Sequence, residues 1–170
     1  MKHINVSVFV PHAGCPHQCS FCNQRSISGA KSQPTAQDVR DAALVAMRSF
    51  PEGIKDGEIA FFGGSFTAID RDYMIELLSS AQEFIGENGF KGIRVSTRPD
   101  AVDGEICDIL EKYHVTAVEL GAQSTNDKVL AMNRRGHTRE DIFRSARLLK
   151  ECGFELGLQM MTGLYGSNDE

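Results

Sequence analysis

EIAFFGGSFT, residues 58–67, begins as a near-continuous apolar run that leads into two glycines, and the rest of the chain is built on the same plan. A short run of Ile, Ala and Phe with little alternation fits a strand buried on both faces of a parallel sheet. Four other stretches match it: VSVFV from Val6, IRVST from Ile93, AVELGAQ from Ala117 and ELGLQMM from Glu155. Between these runs the apolar period changes to that of a helix. Val39, Ala42, Ala43, Ala46 and Met47 form one stripe behind the N-cap candidate Thr35, and Met74, Leu77, Leu78, Ala81 and Ile85 form a second behind Asp70, with Gly86 or Gly89 as its stop. Ile106, Ile109, Leu110 and Tyr113 make a third behind Asp103. Ile142, Ala146 and Leu149 make a fourth behind Thr138, with Gly153 where a left-handed C-cap belongs.

Such strand–helix alternation means βαβ units and a parallel sheet, either open and doubly wound or curled into a barrel. A closed eight-fold barrel takes about 250 residues, so 170 residues supply at most a partial barrel or a piece of a longer protein. The terminal GLYGSNDE, with no closing helix, favours a piece. At 41% hydrophobic and 24% charged residues the chain reads as one globular domain. No run approaches the roughly 18 apolar residues of a membrane span, and the first ten residues lack a signal-peptide pattern, so the expectation is a cytoplasmic protein that does not enter membranes. A net charge of -5 gives no global attraction for nucleic acid. Arg139, Arg144, Arg147 and Lys150 interleave with Glu140, Asp141 and Glu151, which reads as a solvated helix surface.

The unusual motifs all follow strands, and in parallel α/β folds the carboxyl ends of strands share the ligand-binding face. Cys15-x3-Cys19-x2-Cys22 lies in the loop after the first run, where Gly14 and Pro16 discourage regular structure. Five cysteines, three of them within eight residues, suit a metal site in a reducing compartment better than a disulfide framework. Soft thiolates select zinc or an iron–sulfur cluster. Three local thiols leave one iron of a cubane cluster open; alternatively His12 or His17 completes a structural zinc site. Cys107 and Cys152 fall in helical segments and read as small packed hydrophobes. Gly63-Gly64-Ser65 lets the backbone approach a ligand, or simply marks a turn. Arg134, Arg135 and His137 cluster in NRRGHT, where a guanidinium could clamp a carboxylate or merely be solvated. Glu119 and Gln123, four residues apart on one strand, should face the same side as joint ligands of a polar group or as partners of buried backbone.

With these residues in view, the chain resembles the radical S-adenosylmethionine (SAM) superfamily, in particular the branch of the elongator catalytic subunit, and more distantly the oxygen-independent coproporphyrinogen III oxidases. The motifs that carry the resemblance are VPHAGCPHQCSFCNQ, FFGGSFT, STRPD, VELGAQS, NRRGHT and MTGLYGS, in this order over nearly all 170 residues. The resemblance implies a partial (βα)6 TIM-like barrel, residues 1–170 forming the radical SAM core domain and ending after the fifth strand. It implies a 4Fe-4S cluster on Cys15, Cys19 and Cys22, with SAM chelating the open iron. Phe21 would lean on the adenine; Gly63, Gly64 and Ser65 would contact the methionine amino group; Gln123 would contact the ribose or methionine part. Arg134 or Arg135 would bind the carboxylate, and Met161 to Gly166, Gly163 included, would line the adenine. One electron from a donor such as flavodoxin or ferredoxin would cleave SAM to a 5'-deoxyadenosyl radical that abstracts hydrogen from the substrate, for which the branch makes a tRNA nucleoside the leading choice and the porphyrin enzymes a tetrapyrrole side chain. A nucleic-acid-binding module merely braced by zinc or a cluster is the alternative. Relatives often place a carboxylate where this chain has Ser96, and no acetyltransferase-like region is present in these residues.

Overall fold

The computed structural model of the chain describes residues 4–11, 15, 19–22, 32–50, 54 and 56–168. Five strands, β1 (Ile4–Val10), β2 (Gly57–Gly63), β3 (Gly92–Thr97), β4 (Val115–Gln123) and β5 (Glu155–Met160), form one all-parallel sheet in the order β1-β2-β3-β4-β5. Helices α1 (Ala36–Ser49), α2 (Arg71–Gln82), α3 (Gly104–Lys112), α4 (Asp127–Met132) and α5 (Arg139–Glu151) lie between them. An order without reversal has no switch point, and crossovers of one hand then place the helices on one face, which is barrel-type and not doubly wound architecture.

The four expected caps form. Thr35 and Thr138 make reciprocal capping boxes with Asp38 and Asp141, and Asp70 and Asp103 accept from the backbone of Tyr73 and Ile106. Gly153, at φ +86, ends α5 as expected. The second helix stops at Gln82, short of the expected glycines; Gly86, at φ +146, serves instead in the turn that pairs its N–H with the carbonyl of Phe90. α4, capped by Asn126, is only 6 residues long, too short to show a period, and went unseen in the sequence.

The core lies between sheet and helices, where Ile59, Phe61, Ile93, Val95, Val118 and Leu120 meet Met74, Leu77, Leu78, Ile106, Leu110 and Leu149. Burial on both faces holds for β2 and β3 but not for the outer strands. β1 alternates, leaving Phe9 37% exposed, and in β5 Leu158 and Met160 are about half exposed, because each flanks the sheet with a strand neighbour on one side only among the described residues.

The opposite, concave face is polar. Arg94 of β3 donates through Nε to Glu58 of β2 at 2.7 Å, through Nη1 to Glu119 of β4 at 2.7 Å and through Nη2 to Glu155 of β5 at 3.2 Å. The hydroxyl of Thr116 donates to the other oxygen of Glu58. Glu58 is fully buried, so removing the Arg94 guanidinium takes away a charged partner of a carboxylate in low dielectric. Arg94→Met is expected to destabilise the fold by about 3–5 kcal/mol in urea unfolding, and adding Glu58→Gln to recover part of that loss.

Candidate active site

The motifs gather at the carboxyl ends of the strands. Gly63 adopts φ +120, where a Cβ would lie 2.6 Å from the carbonyl oxygen of Val10, and the Gly64 N–H donates to that same oxygen at 2.9 Å. The glycine pair therefore clasps the end of β2 to the end of β1 and leaves both residues partly accessible. Phe66 folds back to stack on Phe61 with 4.6 Å between ring centroids and is itself buried. Ser65 is committed inward: its hydroxyl shares a hydrogen bond with that of Thr97 at 2.9 Å and accepts the Arg98 N–H at 3.1 Å, so it fastens β2 to β3 and offers no exposed side chain to a ligand.

After β1, the Cys22 N–H donates to the Cys19 carbonyl at 3.1 Å, turning the loop back on itself. Cys15 and Cys22 are exposed and Cys19 is half-buried. The Cys15 thiol is pushed up from its ordinary value, first by desolvation; Arg98 and Arg135 pull it down, while Cys19 and Cys22 push it further up, so the three sulfurs lie within electrostatic reach of one another and of two guanidinium groups. Among the described residues no three His, Cys, Asp or Glu side chains stand close enough to hold a metal ion, so the thiols are near but not drawn to a common centre. Gly14, Pro16, and the candidate zinc ligands His12 and His17 lie outside the described residues.

The turn after α4 holds this loop. Asn133, buried to 1% exposure, accepts the Ser20 hydroxyl on Oδ1 at 2.8 Å and the Ser20 N–H on its carbonyl at 3.2 Å. Its Nδ2 donates to the carbonyls of Val129 at 2.8 Å and Tyr165 at 2.9 Å, so one side chain joins the cysteine loop, α4 and the loop after β5. Met161 N–H donates to the Gln123 carbonyl at 3.0 Å, a second tie on that last loop, in which Gly163 is exposed at φ +72.

The two neighbouring arginines separate. Arg134, at φ +56, is exposed, whereas Arg135 turns inward, donating from Nη1 to Cys19 Sγ at 3.2 Å and from Nη2 to the Gly121 carbonyl at 2.5 Å, with its guanidinium 5.6 Å from the Phe21 ring centre. Glu119 and Gln123 do not act together. The β4–β5 register shifts between Leu120 and Gln123, Gln123 takes φ +66, and Glu119 belongs to Arg94; the irregularity breaks the pleat count on which the same-face expectation rested. Cys107 is buried, its thiol pushed up to about 12 by desolvation and by a hydrogen bond with Cys152. Cys152 itself is exposed at the end of α5 and is not the core filler that was expected.

Two site residues went unassigned in the sequence. Arg98, 8% exposed, grips Asp100 through Nε and Nη2 and reaches the Arg135 carbonyl, and its place in STRPD was its only signal. Asn133 heads NRRGHT, where the arginines drew attention away from it. Three buried polar atoms here have no hydrogen-bond partner among the described residues: Ser96 Oγ, Arg135 Nε and His137 Nδ1. His137 is 4% exposed, with Nε2 3.3 Å from the Ala122 carbonyl and its pKa lowered first by burial and then by Arg135. Soft donors, flanking positive charge and an unpartnered guanidinium N–H suit a thiolate-held metal centre together with an anionic ligand. Asn133→Ala is expected to cost about 1–3 kcal/mol in chemical denaturation and to speed hydrogen exchange over residues 19–22 while the central strands stay protected.

Comparison with known proteins gives the family and the fold. A Methanocaldococcus jannaschii relative with a provisional methylthiotransferase name is 30% identical over 151 residues, 85% of this chain and 32% of that protein. The tRNA uridine(34) acetyltransferase of Methanocaldococcus infernus is 25% identical over 201 residues, 97% of this chain and 38% of its own. The chain thus spans about a third of the length of these two relatives. Among solved structures, the archaeal Methanocaldococcus infernus Elp3 with an N-terminal deletion superposes with a TM-score of 0.71 at 21% identity, covering 98% of this chain and 39% of the other. The Escherichia coli coproporphyrinogen III oxidase gives 0.63 at 18% identity over 95% of this chain and 37% of its own, and these two likenesses establish the fold as that of a partial radical SAM barrel. The family model of the radical SAM superfamily matches residues 9–170, and with the three-cysteine loop at the carboxyl ends of the parallel strands this makes the chain a member of that superfamily.

Proposed function

We propose that residues 1–170 are the SAM-cleaving core of an iron–sulfur enzyme, with Cys15, Cys19 and Cys22 as the cluster ligands. The observation that carries this is the placement of the three-thiol loop against Arg135, whose unpartnered Nε is buried beside it. When bound, a 4Fe-4S cluster and SAM together supply one-electron cleavage of the SAM sulfur–carbon bond and a 5'-deoxyadenosyl radical for hydrogen abstraction.

The chain's own residues bind and shield. Gly63 and Gly64 present partly accessible backbone toward the methionine amino group, and Ser65 supports them from below through Thr97 and Arg98. Arg135 Nε is the donor for the carboxylate, a better candidate than the outward-facing Arg134. Phe21 and the segment from Met161 to Gly166, with Gly163 open at its bend, border the adenine, and Gln123 meets the ribose or methionine part where β4 breaks its register. Ser96 Oγ, buried without a partner on β3, is a further acceptor or donor for SAM in place of a carboxylate. The tRNA uridine acetyltransferase likeness supports a tRNA nucleoside as substrate, the electron coming from a flavodoxin- or ferredoxin-like donor. Among the described residues no helix is long and apolar enough to cross a membrane, and exposed thiols suit the reducing cytoplasm.

Anaerobically reconstituted protein is expected to carry about four irons and, once reduced, an electron paramagnetic resonance signal that shifts on adding SAM. Cys19→Ala should abolish both. Stoichiometric zinc with no cluster would overturn this reading in favour of a braced nucleic-acid-binding module.

A further inference from the structure

Arg135 is aimed at the cysteine loop by contacts at both ends of the residue. Nη2 is pinned to the Gly121 carbonyl at the end of β4, the backbone N–H donates to the Leu130 carbonyl at 3.0 Å, and the backbone carbonyl receives Nη2 of Arg98. With the guanidinium so held, Nη1 lies 3.2 Å from Cys19 Sγ. Among the described residues its charge is also unpaired with any carboxylate. Arg98, the other guanidinium within reach of the thiols, is neutralised by Asp100 through two hydrogen bonds, whereas among the described residues no carboxylate pairs with Arg135.

We propose that Arg135 is a redox-tuning residue, its Nη1–H···Sγ hydrogen bond and unpaired positive charge making a cluster on this loop easier to reduce. The inference rests on the cluster reading above. Taking up one electron adds one negative charge to thiolate-held iron, and hydrogen bonds to the sulfurs and nearby positive charge favour that state. The electron comes from a one-electron donor of the flavin or iron–sulfur class, and no bond forms or breaks. The residue thus acts through Cys19, apart from any contact its Nε makes with a substrate carboxylate.

The test is potentiometry of the anaerobically reconstituted protein, followed by electron paramagnetic resonance without SAM, on the natural chain, Arg135→Gln and Arg135→Lys, each at measured iron content. At equal iron loading Arg135→Gln should lower the equilibrium constant for reduction at least tenfold, a shift of about 59 mV to more negative potential. Arg135→Lys, which keeps the charge but not a fork that reaches both Sγ and the Gly121 carbonyl, should shift in the same direction by less. An unchanged midpoint in Arg135→Gln overturns the proposal; if that variant does not hold iron, an unchanged midpoint in Arg135→Lys does so. Failure of the natural chain to assemble any cluster would instead refute the cluster reading itself.

Discussion

Parallel crossovers share one hand, and a strand order that never reverses must then stack all its helices on one side of the sheet. The other consequences of the fold follow from this. One face of β2 and β3 is sealed by Met74, Leu77, Leu78, Ile106 and Leu110, while the concave face is left to polar groups that must satisfy one another. Arg94 does so by reaching across three strands at once, from Glu58 through Glu119 to Glu155. Such a network adds little to net stability compared with an apolar core, but it penalises any sliding of one strand past its neighbour, since a shift of one residue would carry these side chains to the apolar face.

At the carboxyl ends the problem is different, because loops have few apolar contacts to fix them. Here single polar side chains hold the chain in place. Ser65 fastens β2 to β3, and Asn133 uses its amide oxygen and both amide hydrogens to hold the cysteine loop, α4 and the loop after β5 in one arrangement. A buried amide whose hydrogen-bonding capacity is this fully used tolerates almost no displacement. The thiols are therefore carried on a loop anchored at Ser20, between Cys19 and Phe21.

The strands, four of the helices and their caps were legible in the sequence because each rests on a local rule: apolar run, helical stripe, Thr or Asp before the first turn. The site was legible only as a set of motifs. Sequence spacing placed Glu119 and Gln123 on one side, but a register shift between them decided otherwise, and no local signal announces a bulge. Likewise nothing in NRRGHT distinguishes Arg134 from Arg135; the positive φ at Arg134 turns one outward and the next inward. The importance of Asn133 came from partners 113 and 32 residues away in the chain, Ser20 and Tyr165, a separation no periodicity can express.

The outer strand β5 has a property unrelated to catalysis. Leu158 and Met160 stand about half exposed on a strand whose second edge has no strand neighbour among the described residues, and Met161 beside them is 39% exposed. An open strand edge next to apolar side chains forms a template to which another extended segment can add. An apolar strand edge of this kind, left open, is the part of a sheet that favours association between copies as concentration rises.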